Sequence, residues 1–383
     1  MKTLVTTLLL GLTAAAPALA AHLDVATPQA IVAAVTNAQP GDIITIAPGR
    51  YELPGLRMRT NGTTKRKIEL RAVTPGTVEL ISTATEFIKI SGSDWVVDNL
   101  DIAGICPADD DCEHAFHIVA GADRAFIHHN RIRDYNAHIK GNGENGRFPQ
   151  DVKIASNMLF NTRPRKTDNP IAPVDVVGGK GWTVQDNLIA DYGKALAHPP
   201  TVKDDWSYGI FLKGDSSFGL IAGNIVGCDL AAPATPAVRG ISLGGSITTP
   251  NTGLCDFGDD CTIEHRDGTI RDNLVLNCAG EPGIYLYKAA RSRVLRNTLV
   301  ATTGILAREA ETSASIIDNK LDGKVWAENG ARIIDATNRL LSADEARTNY
   351  LVPLLGPAKP PATTTIGSAV AAYRTYRETL AKR

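Results

Sequence analysis

The sequence predicts an all-β protein, a single-stranded right-handed parallel β-helix (solenoid) with an N-terminal capping helix. Three observations lead there. A short phrase centred on Asn recurs along most of the chain, the segment after each copy alternates apolar and polar residues, and a helix signature precedes the first copy. Self-similarity at a period of roughly 20–50 residues marks a solenoid, and strand-period alternation makes it a β solenoid.

The elements follow in order. Residues 1–20 read as a signal peptide: Lys2 gives the positive start, Leu4 to Ala15 the apolar run and Ala18-Leu19-Ala20 a small-x-small cleavage site. The run is shorter than the roughly 20 residues a membrane span needs, and no later segment supplies one. Thr27 as N-cap and Pro28 in the first turn open a helix running through Val35. Such a helix would plug the end of the solenoid, where unpaired strand edges invite aggregation.

Seven copies of the Asn phrase centre on Asn130, Asn157, Asn187, Asn224, Asn273, Asn297 and Asn319, and Asp98-Asn99-Leu100 reads as an earlier eighth. Successive spacings are 31, 27, 30, 37, 49, 24 and 22 residues, so the longer intervals carry surface loops near 194–207 and 229–268. A coil cannot bury its own apolar face, but stacked coils bury a continuous column at about 4.8 Å per rung. An Asn at the same turn of every coil can bond the copies above and below.

The strands after the turns align as His117 to Gly121, His138 to Asn142, Asp175 to Gly179, Gly209 to Lys213, Gly240 to Gly244, Gly283 to Tyr287 and Gly304 to Arg308. The second position is always Ile or Val and the fourth is apolar or Gly, so these face inward. The first, third and fifth face outward. This predicts one interior column of Ile118, Ile139, Val176, Ile210, Ile241, Ile284 and Ile305. The β-helix domain is expected over 21–345, and 346–383 as a C-terminal linker and short helical tail.

The chain has 383 residues, 43% of them hydrophobic, and a net charge of −1. The first figure allows a large core, and the charge gives no pull toward nucleic acid or anionic membrane. Six cysteines in an exported chain suggest disulfides. Cys106–Cys112 and Cys255–Cys261 each bracket an acidic loop. Cys228 and Cys278 lie four and five residues after their repeat Asn, which superimposes them in adjacent coils.

The stretch Ala30 to Val35 followed by Gln39-Pro40-Gly41-Asp42-Ile43-Ile44-Thr45-Ile46-Ala47-Pro48-Gly49-Arg50-Tyr51 resembles the opening of extracellular β-helix enzymes. These are the chondroitinase-B-like and alginate lyases of polysaccharide lyase family six, and related pectate-lyase-like proteins. With the Asn repeats, the resemblance covers about 22–335. It implies a Lys base, an Arg partner and often a calcium ion held by Asn and Glu on neighbouring coils. No Glu-x-Glu pair lies beside the candidate lysines; Glu309-Ala310-Glu311 follows Arg308, several coils away. No calcium ligand carries over, so calcium stays possible without an assigned site. Pectin hydrolases of this fold need an Asp-Asp and a Gly-His-Gly; Asp204-Asp205 is present, but no Gly-His-Gly follows.

A β-eliminating lyase must neutralise a uronate carboxylate, remove the C5 proton and protonate the leaving O4. Cations on consecutive coils meet these needs. The outward positions give Lys213, Lys140 and His138 as candidate catalytic residues, with Asp175, Asn142, Tyr208, Tyr285, Tyr287 and Arg308 as candidate substrate-binding residues. Gly179, Gly209 and Gly244 would leave flat floor between them. Lys213 is the first choice of base. Lys140, two coils away at about 10 Å, fits a neighbouring subsite. For each, the plainer alternative is a solvated or loop-covered side chain. The acidic loops could hold calcium or be solvated turns, and Glu264 and His265 could overhang the groove from the 229–268 loop. The reading is a periplasmic or secreted lyase acting as a monomer on an acidic polysaccharide. A glycoside hydrolase using Asp175, Asp204 or Asp205, a C5-epimerase, and a non-catalytic carbohydrate-binding surface protein are its alternatives.

Overall fold

The computed structural model describes residues 20–195, 206–231, 237–245, 262–356 and 365–382. The signal peptide, Cys255–Cys261, Asp204-Asp205 and most of the two long loops lie outside these residues. Three long sheets, wholly parallel, run the length of the molecule, with 12, 11 and 10 strands. The chain visits them in turn, once per coil. Trp95–Asp98 lies in sheet 1, Asp101–Gly104 in sheet 2 and His114–Val119 in sheet 3. This is the right-handed parallel β-helix that the repeat predicts.

The N-terminal helix spans Pro28–Asn37; Thr27 Oγ1 accepts the Ala30 amide at 3.2 Å, and Ile31 and Val35 are buried. It packs on the first strands of sheets 1 and 3, and so lies at the N-terminal end.

The turn from sheet 1 to sheet 2 holds the Asn ladder. Asn130 donates from its amide N–H and from Nδ2 to Asn157 Oδ1, at 3.0 and 3.1 Å. The same pair of bonds links Asn157 to Asn187, Asn187 to Asn224, Asn224 to Asn273, Asn273 to Asn297 and Asn297 to Asn319. It continues to Asn338, a rung the repeat count did not include. Each Nδ2 also reaches a carbonyl of the preceding coil, as Asn157 does to Ile127 O at 2.9 Å. At the other end the register corrects the expected eighth copy. Leu100, not Asn99, stands in the ladder position and donates its amide to Asn130 Oδ1. Asn99 occupies the left-handed position that precedes each ladder Asn.

The interior column of sheet 3 also differs from expectation. Phe116 and Val174, not Ile118 and Val176, align with Ile139, Ile210, Ile241, Ile284 and Ile305. Ile118 and Val176 are still buried, in the next interior column with Leu212, Leu243 and Leu286. A two-residue slip keeps every side chain on its face while moving it one column along.

Cys106–Cys112 and Cys228–Cys278 are disulfide-bonded, with Cα–Cα distances of 5.7 and 5.0 Å; the first closes the acidic loop it brackets, and the second joins the positions that the repeat superimposes. The last strand is Arg339–Leu340, and helical turns follow over 343–355. The helix of the tail spans Thr365–Ala381 and runs along the outer face of sheet 2. Val370, Tyr373 and Tyr376 pack there on Phe160, Leu188, Ala190 and Ile225.

Asn224→Ala should orphan the bonds Asn224 makes and those it accepts, at about 1–3 kcal/mol for each unsatisfied group. The urea midpoint is expected to fall well below that of Asp272→Ala at the neighbouring exposed turn position. Equal midpoints would mean the ladder carries no special share of stability.

Candidate active site

Alternation along sheet 3 sends two columns of side chains outward. One runs Lys89, His117, Lys140, Asp175, Phe211, Ser242, Tyr285 and Leu306. Beside it, Val119, Asn142, Val177 and Lys213 continue toward Tyr287 and Arg308. The register slip carries His117 and Asp175 from the expected first column into the column of Lys140, which creates the site.

Asp175 stands between the two candidate lysines. Lys140 Nζ lies 2.5 Å from Asp175 Oδ2 and Lys213 Nζ 3.5 Å from Asp175 Oδ1. The lysines are two coils apart as counted, but their ammonium groups converge on one carboxylate instead of serving separate subsites. Burial would raise the Asp175 pKa, yet Lys140 and Lys213 outweigh it and hold the carboxyl at about 2. Burial lowers the Lys213 pKa, with Lys140 acting the same way and Asp175 against it, and the net shift is downward. The Lys213 ammonium also lies 4.0 Å from the centre of the Phe211 ring.

On the N-terminal side, His117 joins two partners. Its Nδ1 is 2.7 Å from Glu86 Oε1, and its Nε2 is 2.7 Å from Asn142 Oδ1. Asn142 Nδ2 donates to Gly143 O, which fixes the orientation of the amide. His114 stacks on His117, and burial, then His117 and Lys140, lower its pKa to about 3. His114 and Glu86 were missed from the sequence. The signal was there: Glu86-Phe87-Ile88-Lys89-Ile90 alternates like the other strands but lacks the Asn phrase.

On the C-terminal side, aromatic rings pack against one another. Tyr208 stacks on Phe211 at 4.0 Å, and Arg239 lies 4.3 Å from the Tyr285 ring centre while bonding the Tyr208 hydroxyl and Glu281. Tyr208 and Tyr285, expected to bind substrate, are buried in this layer. Tyr287 and Arg308 keep partial exposure, and Arg308 pairs with Glu309 and Glu328. Arg239 escaped notice because it precedes the aligned window.

His138 is the clearest correction. It is fully buried, its Nε2 bonds Phe160 O at 2.9 Å, and burial takes its pKa down to about 3. The expected first outward position lies at the corner where the strand leaves sheet 2, and it turns inward. A Cβ at Gly209, Gly240 or Gly283 would meet the interior side chains of Val226, Val275 or Leu299. Gly209 is therefore no floor. Nor are Gly179, backed by Pro149 O and Trp182, and Gly244, backed by Glu264. His265 is also fully buried, and Glu264 accepts the Gly214 amide; neither overhangs a groove.

Calcium finds no ready oxygen set among these residues. Asp175 is neutralised by two ammonium groups. In the Cys106–Cys112 loop, Asp109 pairs with Arg163 and Arg165, and Asp110 accepts from Thr167. A cavity of about 720 Å³ lies elsewhere, under the C-terminal helix, where Arg50 and Arg133 both pair with Glu79.

Replacing Asp175 by Asn leaves the two ammonium groups without their shared anion. Lys213 should then lose its proton at lower pH and react faster with an amine-directed reagent at neutral pH. Peptide mapping of the labelled residue measures this, and an unchanged labelling rate would show that Asp175 does not control Lys213.

No family model matches the sequence, and no curated protein sequence matches it. Solved structures do match in fold. An alginate lyase from Paenibacillus sp. str. FPU-7 superposes with a TM-score of 0.58 at 13% identity, over 82% of this chain and 99% of that one. A rhamnogalacturonan lyase gives 0.52 at 12% identity, over 81% of each chain. The pectate lyase Pel9A gives 0.51 at 12% identity, over 88% of this chain and 80% of its own. At such identities the likeness is one of architecture: the chain is a right-handed parallel β-helix similar in fold to polysaccharide lyases.

Proposed function

We propose that the chain is an exported lyase that cleaves a uronate-containing, acidic polysaccharide by β-elimination on the outer face of sheet 3. The observation that carries this reading is the pair Lys140 and Lys213 around one ionised Asp175, with Lys213 held below the usual lysine range. Elimination needs a cation to draw charge from the uronate carboxylate and a base near neutrality to take the C5 proton. Lys140 serves the first need, and Lys213, once it has given up its proton, the second. As the C5–H bond breaks, C4=C5 forms and the C4–O4 bond opens; the new Lys213 ammonium returns the proton to O4. Tyr287, Asn142 and Arg308 line the face on which neighbouring sugars would lie. Tyr208 and Tyr285 support it from below, and His138, in the interior, has no part.

A hydrolase needs a carboxylic acid that stays protonated near neutrality. Asp175, held at about 2, suits a tether and not that acid. Export, to the periplasm or medium, rests on the leader sequence and the two disulfides.

The test is incubation of the mature protein with a panel of uronic polysaccharides, following ultraviolet absorbance of the unsaturated uronate. New reducing ends without absorbance would mean hydrolysis, inverted C5 without scission an epimerase, and binding alone an adhesin. Lys213→Ala should lower kcat by about 10²-fold or more while the far-ultraviolet circular dichroism stays that of the folded β-helix. Lys140→Ala should raise KM as well. The base acts unprotonated, so kcat/KM should rise with pH and level off above the Lys213 pKa, with a midpoint below the ordinary lysine value. A flat profile would remove Lys213 from the role.

A further inference from the structure

We propose that Asp98, His128 and His129 form a binding site for a divalent transition-metal ion at the corner between sheets 1 and 2. The residues come from adjacent coils. Asp98 ends the strand Trp95–Asp98, His128 ends Phe126–His128, and the two are paired in register. His129 follows in the left-handed conformation, φ 53°, and places its ring beside that of His128.

The ligand atoms already converge. Asp98 Oδ1 is 2.9 Å from His128 Nδ1 and 3.6 Å from His129 Nδ1, and the two Nδ1 atoms are 2.8 Å apart. A tetrahedral ion with bonds of about 2.0–2.2 Å holds its ligand atoms roughly 3.3 Å apart, so the observed separations bracket that spacing. Asp98 Oδ1 is buried and makes no aligned hydrogen bond, although two imidazole nitrogens are close. Asp98 Oδ2 is held by Asn99 Nδ2 at 2.6 Å, which orients the carboxylate and leaves Oδ1 to ligate. Between the two facing Nδ1 atoms only one proton fits, whereas a metal satisfies both lone pairs. Two imidazoles and one carboxylate suit zinc, copper or nickel over calcium or magnesium. His129 is 59% exposed, so solvent can reach the remaining coordination positions.

The place gives the ion a purpose. Leu100 occupies the Asn position of this coil, so the side-chain ladder stops at Asn130. A metal shared by Asp98, His128 and His129 would clamp the two coils where no Asn pair joins them.

The experiment uses untagged full-length mature protein, dialysed against chelator and titrated with Zn2+ by calorimetry and with Co2+ by visible absorption. One equivalent should bind, cobalt should give ligand-field bands, and zinc should raise the thermal midpoint. His129→Gln, at an exposed position that spares the fold, and Asp98→Asn should each weaken binding by more than about tenfold and abolish the zinc-dependent rise. Glu86→Gln, at the separate Glu86, His114 and His117 cluster, should leave binding unchanged. The proposal fails if wild type binds neither ion, if His129→Gln and Asp98→Asn bind as wild type does, or if Glu86→Gln is the variant that removes binding.

Discussion

A chain that turns from one sheet to the next within two residues points backbone amides into the interior, where water does not compensate them. In this molecule one Asn side chain per coil, from Asn130 to Asn338, meets that demand. It accepts the amide of the ladder Asn before it and donates to the Asn after it, and it reaches a carbonyl one coil back. The residue just before it sits at positive φ in every coil from Asn99 to Thr337, and most of these residues are not glycine. Each such residue costs roughly 1–2 kcal/mol, which the satisfied amides offset. Because the corner has the same geometry along the ladder, the sheet 2 strands begin in phase with those of sheet 1. The paired register of sheet 3 lines its own outer side chains into columns.

How far the sequence could be read follows from this. The ladder was legible because its residue type repeats and its neighbours are apolar. Cys228 and Cys278 could be paired because each was counted from its own Asn. Which residues of sheet 3 face inward was legible as well, since alternation reports the face. The register was not. A period-two pattern looks the same after any even slip, so the strands of His117 and Asp175 could be placed two residues out with every face still correct. That slip separates Asp175 from Lys140, and it hides the central fact of the candidate site. His138 misled for a different reason: alternation fails where the strand bends into the corner, and the glycines sharing that position mark crowding, not open space.

Lys140, Asp175 and Lys213 form an arrangement whose charges depend on one another. Removing the central anion leaves two cations facing across a partly buried gap, and removing either cation leaves the anion half-compensated. Phe211 below and the Tyr208, Arg239 and Tyr285 layer beside it keep the group from being solvated on that side. The lowered proton affinity of Lys213 is therefore a property of the sheet's stacking as much as of the lysine.

The C-terminal helix changes what kind of object the solenoid is. Stacked coils touch only their neighbours, and an array of that sort frays from its ends. Here Tyr376 reaches Asp101, while Tyr373 and Arg377 hold Asp191, three coils further on, and Arg374 bonds carbonyls of the turns that follow the last strand. The helix thus acts as a tie-rod laid along the stack. The coils from Asp101 to Asp191 and the turns that close the C-terminal end cannot part until it lets go, and so that stretch of a one-dimensional pile is held to melt as a single block.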